Sequence, residues 1–359
     1  MSGPATTVRG PAGRLGPRRV LRLAGASARV APRAVAAGAA VAVVAAVTVV
    51  LSLTVGDYPL TVPDVLRTLA GHGDRAAEFA VYRLRLPRVL TALFVGIAFG
   101  VAGAVFQSLS RNPLGSPDII GFTTGSATGA LIGVLVLGGG SVVVPGGAVG
   151  GGLLVAAVVY LLARRHGVVR PHQLILVGIG VSAVLVSANG FLLTRARLDD
   201  AMQAAVWLTG SLNGRGWEHA VPVGVAVLVA VPVVLTLARP LGVLALGDDS
   251  AAALGVPVER VRRALLVVAV VLTAVATASA GPVAFIALAA PQVARRLTRS
   301  PDAHLIVSGL TGAALLAVAD LAAQRLFAPV TLPVGVLTGA LGGLYLAWSL
   351  AVGRRSARW

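Results

Sequence analysis

The side chains able to do chemistry in this 359-residue chain are few and scattered. There is no Lys, so no P-loop lysine can hold nucleotide phosphates and no Walker-type site is carried. There is no Cys, which excludes thiolate metal ligation, disulfides and iron–sulfur clusters. The five His residues (His72, His166, His172, His219, His304) fall in loops or at the ends of apolar runs. None forms an H-x-x-x-H pair or lies beside a carboxylate cluster inside such a run, so a membrane-embedded metalloenzyme is not indicated. What remains inside the apolar runs is isolated: Gln107, Asn189 and Asp320. A polar residue in that setting is either a functional group or an interhelical hydrogen bond, and Asp320 has Gln324 one turn away as a ready partner. The inventory contains no catalytic constellation and no cofactor or metal site, so the chain reads as a non-enzyme.

The densest polar feature is residues 239–263, RPLGVLALGDDSAAALGVPVERVRR, between two long apolar runs. It reads as a short helix. Asp248 and Asp249 suit its N-terminal N–H groups and dipole, the Ala-rich centre favours helix, and Gly255 and Pro257 stop it. A helix held at a membrane surface by spans on either side is suited to docking a soluble partner; the plainer alternative is a connecting loop.

The elements that position these residues follow from composition. With 57% hydrophobic and 12% charged residues, the chain cannot be a water-soluble globule. Apolar runs near the length of a bilayer crossing occur at about ten places: 35–55, 88–109, 118–138, 142–163, 173–194, 219–238, 263–281, 283–297, 304–325 and 333–353. The region around Gly281-Pro282 is either one bent span or two short ones. The expected fold is therefore an all-α integral membrane protein. Residues 1–34 read as a disordered basic tail, 35–353 as the transmembrane domain and 354–359 as a C-terminal tail. With the N-terminus inside, 21 of the 30 Arg residues fall on the cytoplasmic side and 9 outside, as the positive-inside rule requires. Both termini are then cytoplasmic. The net charge of +17 is mostly this topology signal, and no nucleic-acid partner follows from it. Arg-only, Ala/Val/Gly-heavy usage points to a high-GC bacterial genome.

Residues 83–118 carry the next layer of information. Pro87 is expected to fix the start of the second span, with Arg85 and Arg88 at its outer mouth. Gly96, Gly100, Gly103 and Ala104 recur at spacings that let a neighbouring helix approach closely. Gln107 sits near the inner end, Asn112-Pro113-Leu114-Gly115 makes a turn, and Ser116-Pro117-Asp118 opens the next span as N-cap, N1 proline and first-turn acid.

In order along the chain stand RLPR (85–88), FQSLSRNPLGSPDIIGF (106–122), WLTGSLNGRGW (207–217), LALGDDSAAALGVPVERVR (244–262), GPVAFIALAAPQVARRL (281–297) and LPVGVLTGALGG (332–343). This series resembles the FecCD-family permeases of ABC importers for iron–siderophores, haem and cobalamin. NPLGSPD, the GDDSAAALG helix and ADLAAQRLF…LPVG (319–335) look most like the second permease subunit of ferric-enterobactin-type systems. The resemblance implies ten transmembrane helices in a type II importer architecture and a ferric siderophore as cargo, with haem or cobalamin as the alternative cargo under the same mechanism. It also implies a bacterial cytoplasmic (inner) membrane location and a second permease subunit, as a heterodimer, with the path at the interface. By the same resemblance, two cytoplasmic ABC ATPase subunits would hold ATP and Mg, and an extracytoplasmic binding protein would deliver the chelate. The ATPase would dock on residues 246–257: Leu246, Leu254 and Val256 filling its groove, Gly247 and Gly255 allowing close approach, and Asp248, Asp249 and Ala252 completing the helix. The binding protein would dock through Arg85, Arg88 and Arg325. Pathway candidates are Gln107, Thr123, Thr124, Ser126, Asn189 and Asp320. Gln292 departs from the His frequent after the Pro of that family motif, and Thr331 from a frequent acidic residue. These departures weaken a cobalamin assignment. A secondary transporter driven by ions would instead need paired acidic residues or broken helices at the midplane.

Overall fold

A computed structural model describes residues 19–356, apart from 24, 25, 57, 141, 166, 167, 170, 301–303 and 329. The expected tail departs from a structureless segment at β1 (Arg19–Leu23) and β2 (Ala26–Val30), which pair antiparallel; residues 1–18 lie outside the described residues. The rest is helical: α1 (Pro32–Thr54), α2 (Val62–Leu69), α3 (Arg75–Glu78), α4 (Leu86–Ser110), α5 (Pro117–Ile120), α6 (Phe122–Leu135), α7 (Val143–Ala163), α8 (Pro171–Arg195), α9 (Leu198–Leu208), α10 (Trp217–Thr236), α11 (Ala238–Leu244), α12 (Asp248–Ala253), α13 (Val258–Ala280), α14 (Ile286–Thr298), α15 (Leu305–Arg325) and α16 (Val334–Ser356). A two-residue ribbon, β3 (Arg164–Arg165) with β4 (Val168–Val169), joins α7 to α8.

Seven helices among the described residues are long and apolar enough to cross a membrane, and α6 and the apolar part of α16 are shorter. With the 13-residue α14 they coincide with the ten expected runs, so this is an all-α multi-pass membrane protein. The ambiguity at Gly281 resolves as two helices. Gly281 (φ +75°, ψ −179°) takes a conformation that side chains exclude, ending α13, and Phe285 (φ +67°) starts α14.

Helix α4 is the hub. Pro87 stands in its first turn, as the sequence suggested, while the helical path is continuous from Arg75. Lacking an N–H and crowding the preceding turn, the proline is accommodated by a π-helical stretch at Phe79–Arg85, in which the Leu86 N–H reaches Val81 O. Further along, its glycines meet backbone directly. A Cβ on Gly96 or Gly100 would stand 2.4 Å from Gly312 O and 2.3 Å from Ser308 O of α15, and one on Gly103 would stand 1.8 Å from Ala287 O of α14. Around this seam Val95, Phe99, Phe106, Leu265, Leu272 and Leu316 form the buried core. Apolar side chains of α1, α7 and α8 (Val43, Leu154, Leu161, Leu176, Val184) point away from it and are exposed.

Candidate coupling and docking sites

The polar island folds as a bent connection. After α11 the chain turns at Leu246–Gly247, makes the six-residue α12 and leaves through Leu254–Gly255. Both flanking glycines have positive φ, +119° at Gly247 and +79° at Gly255, so each end of α12 is a joint that only glycine forms without strain. Ala251 is fully buried and seats the helix on the core. On the outer side Leu246 is 70% and Leu254 66% exposed, with Asp249, Ala252, Ala253 and Gly255 exposed beside them. Two exposed leucines on a polar face form an apolar contact with no intramolecular partner to cover it. Val256 turns the other way and packs half-buried against the core, so it is not part of that face.

The expected capping by Asp248 and Asp249 is not what the carboxylates do. Gly247 is the N-cap, and α12 has no side-chain cap. Asp248 turns away from the helix end into a clamp between two arginines: Arg262 Nη2 donates to Oδ2 at 2.8 Å, and Arg111 Nη2 donates to Oδ1. Arg262 lies on α13 with its side chain only 4% exposed, and its Nη1 donates to Glu259 Oε1 at 2.5 Å. Arg111, the C-cap of α4, is held in the left-handed region (φ 50°, ψ 30°) and also reaches Leu244 O. Burial pushes the Asp248 carboxyl up, but the Arg262 hydrogen bond and the charges of Arg262 and Arg111 outweigh it and hold it below its ordinary range.

Beside this clamp an open groove of about 530 Å³ lies between the ends of α4, α11 and α14, lined by Gln107, Arg111, Asn112, Leu246 and Arg295 among others. Gln107 is buried and fully engaged: its Nε2 donates to Leu288 O at 3.0 Å and its Oε1 accepts from Arg295 Nη2. Gln292 on the same helix donates to Pro113 O at 2.9 Å, tying the 112–115 turn to α14.

At the opposite face Arg325, in the last turn of α15, is half-buried, and Arg85 and Arg88 have different surroundings from it and from each other. Arg85 donates to Leu53 O at 2.6 Å, at the end of α1, and to Tyr58 O in the connection that follows. Arg88 makes a bidentate pair with Asp320 of α15, Nε to Oδ2 at 2.9 Å and Nη2 to Oδ1 at 2.8 Å. Those side chains are 17% and 4% exposed, and Gln324 adds a third donor at 2.8 Å. The expected outward-facing Arg88 is thus an internal strut, and Asp320 is its counter-ion.

The remaining pathway candidates are dispersed. Thr123 and Ser126 are buried on α6, with Ser126 against Gly152 of α7; Thr124 is half-buried, and Asn189 is buried on α8. They do not converge with Gln107 or Asp320. A convergence that motif reading missed involves three other segments. Ser211 N donates to Ala280 O at 2.8 Å, Gly335 N donates to Gly210 O at 3.0 Å, and a Cβ on Gly210 would stand 2.4 Å from Pro282 O. Thr331 accepts from Asn213 Nδ2 nearby, at 3.2 Å. The glycines of WLTGSLNG, GPVAF and LPVG were the available signal, since close backbone approach is what a glycine permits.

Comparison with known proteins agrees with this architecture. The chain is 45% identical over 294 residues to the ferric enterobactin transport system permease protein FepG of Escherichia coli (strain K12), covering 82% of this chain and 89% of that one. It is 40% identical to the achromobactin transport system permease protein CbrC of Dickeya dadantii (strain 3937), over 83% and 86% of the two chains. Identity to the Fe(3+) dicitrate transport system permease protein FecD of E. coli is 39%, over 78% and 87%. A solved inward-facing ABC transporter of metal-chelate type superposes with a TM-score of 0.79 at 27% identity, over 88% of this chain and 98% of that one. Residues 42–351 match the FecCD transport family, and with these relatives across most of its length the chain belongs to that family.

Proposed function

We propose that this chain is a transmembrane permease subunit of an ABC importer that brings a ferric siderophore across a bacterial cytoplasmic membrane, driven by ATP hydrolysis on separate ATPase subunits. The observation carrying this reading is α12: a glycine-jointed helix on one face of the bundle, presenting Leu246 and Leu254, in a chain that itself has no nucleotide-binding lysine. That combination fits a conduit receiving mechanical work from a partner. The α12 face is then cytoplasmic, and both termini lie on that side, in keeping with the arginine distribution.

The cargo is assigned from the relatives, whose names specify ferric enterobactin, achromobactin and ferric dicitrate. Among the described residues no group of three His, Asp or Glu could hold iron, and a saturated oxygen-ligated chelate needs no such group. An extracytoplasmic binding protein delivers it. Arg325 is the better placed of the arginines to meet that protein, because Arg85 and Arg88 are committed internally. A second, different permease subunit completes the path. ATP and Mg belong to the ATPases; binding of ATP displaces α12, and the spans switch between outward-open and inward-open states.

Placing Asp249→Arg or Ala252→Pro in α12 tests the assignment. Either variant should insert normally and abolish uptake of the iron-55 chelate by a deletion strain. Normal uptake in both variants would remove α12 from the mechanism.

A further inference from the structure

The six residues of α12 hang between two glycine joints, and that arrangement has a mechanical weakness. A short helix held mainly through the hydrogen-bonded turns at its two ends absorbs part of a push by rotating in place. Only Ala251 seats it apolarly, through one small side chain. The Asp248 clamp supplies that stiffness, and it reaches in two directions: to Arg262, buried on α13, and to Arg111, the C-cap of α4. Arg111 holds a left-handed backbone conformation uncommon for a side chain, with its guanidinium on both Asp248 and Leu244 O. The helix it terminates is the hub, fused by glycine contacts to α14 and α15 and pinned at its far end by Arg88–Asp320.

We infer that Arg111 is a positioning residue that transmits displacement of α12 to α4, so that a push at one face moves the central helix instead of spinning a jointed segment. This rests on the reading of the chain as an ATPase-driven permease. Arg111 need not touch either ATPase or cargo; it acts through Asp248. Without it, the Arg262 arm still ties α12 to α13, so docking survives while transmission to α4 is lost.

The test uses the assembled transporter, with partner permease, ATPases and binding protein, in liposomes with iron-55 chelate. Arg111→Gln is expected to keep ATPase co-purification and basal hydrolysis while import per ATP hydrolysed falls about tenfold, the scale of a lost coupling contact. Arg111→Lys, which keeps the charge, is expected to stay near the wild-type ratio. Unchanged import per ATP in Arg111→Gln overturns the inference, and so does loss of the ATPase from that variant, which would make Arg111 a docking contact. Should Arg111→Gln fail to accumulate, Arg111→Cys with Asp248→Cys in this cysteine-free chain replaces it: a short bifunctional thiol crosslinker should raise import per ATP, and no gain overturns the proposal. Absence of ATP-driven import in the wild-type assembly would strike the proposed function instead, so the two failures are distinguishable.

Discussion

Removing Asp320 should destabilise the protein severely, whereas removing Asp320 and Arg88 together should not. The carboxylate is 4% exposed and accepts three hydrogen bonds at 2.8–2.9 Å, two from the planar fork of Arg88 and one from Gln324. Such a bidentate, charge-assisted geometry compensates the cost of holding both ions away from water. Asp320→Ala leaves a mostly buried guanidinium without its counter-charge, and the expected loss is about 3–5 kcal/mol. Arg88→Met leaves the carboxylate with one neutral donor and should cost a similar amount. Combining Arg88→Met with Asp320→Leu replaces the pair by apolar groups of comparable volume, and the net change should lie within about 1 kcal/mol of wild type, because no ion remains unpaired. Unfolding in mixed micelles, followed by far-ultraviolet circular dichroism against denaturing detergent, gives the three values and their coupling energy. Affinity for the binding protein is measured in parallel. If Arg88→Met unfolds like wild type while losing binding-protein affinity, Arg88 is a docking residue and the strut reading fails.

Other consequences are simpler to state. Gly103→Ala puts a Cβ 1.8 Å from Ala287 O, where ordinary contact begins at 3.4 Å, so α4 and α14 must separate by about 1.6 Å; the same unfolding assay should show a loss of about 3 kcal/mol or more. Leu246→Asp with Leu254→Asp should abolish co-purification of the ATPase while membrane insertion stays normal, and retained ATPase would show that the apolar face is not the contact. The Asp248 carboxyl is held below its ordinary value of 3.8, so its contribution is complete above that value and disappears as pH falls through the lowered folded-state value. Protease accessibility of the 246–257 segment should therefore be constant from pH 5 to 8 and rise only under stronger acid; a rise near pH 6 would contradict the clamp.

Periodicity and composition carried most of the fold. Apolar runs fix spans because a bilayer demands about 20 apolar residues per crossing, whereas Gly281-Pro282 left one bent span or two short ones open until the backbone at Gly281 separated α13 from α14. The short helix of the candidate site was legible as a segment: α12 lies inside 246–257, with Gly255 just beyond its end. What its side chains do was not legible. Asp248 next to a helix start has the local chemistry of a cap, but its partners stand 14 and 137 residues away. Arg88 at a span end looks like any interfacial arginine until α15 brings Asp320 alongside, 232 residues later. Pro87 does stand in the first turn of α4, where local rules place proline; the π stretch at Phe79–Arg85 that leads into it had no sequence signal. For Asp248 and Arg88, local preference was overridden by a contact distant in sequence.

The most direct measurement is transport by the purified assembly in sealed vesicles, with ATP inside or an imposed proton or sodium gradient and no nucleotide. ATP-dependent accumulation of the ferric chelate that vanishes with vanadate is the predicted result. Concentration of the chelate by this chain alone, using only an ion gradient, would contradict it.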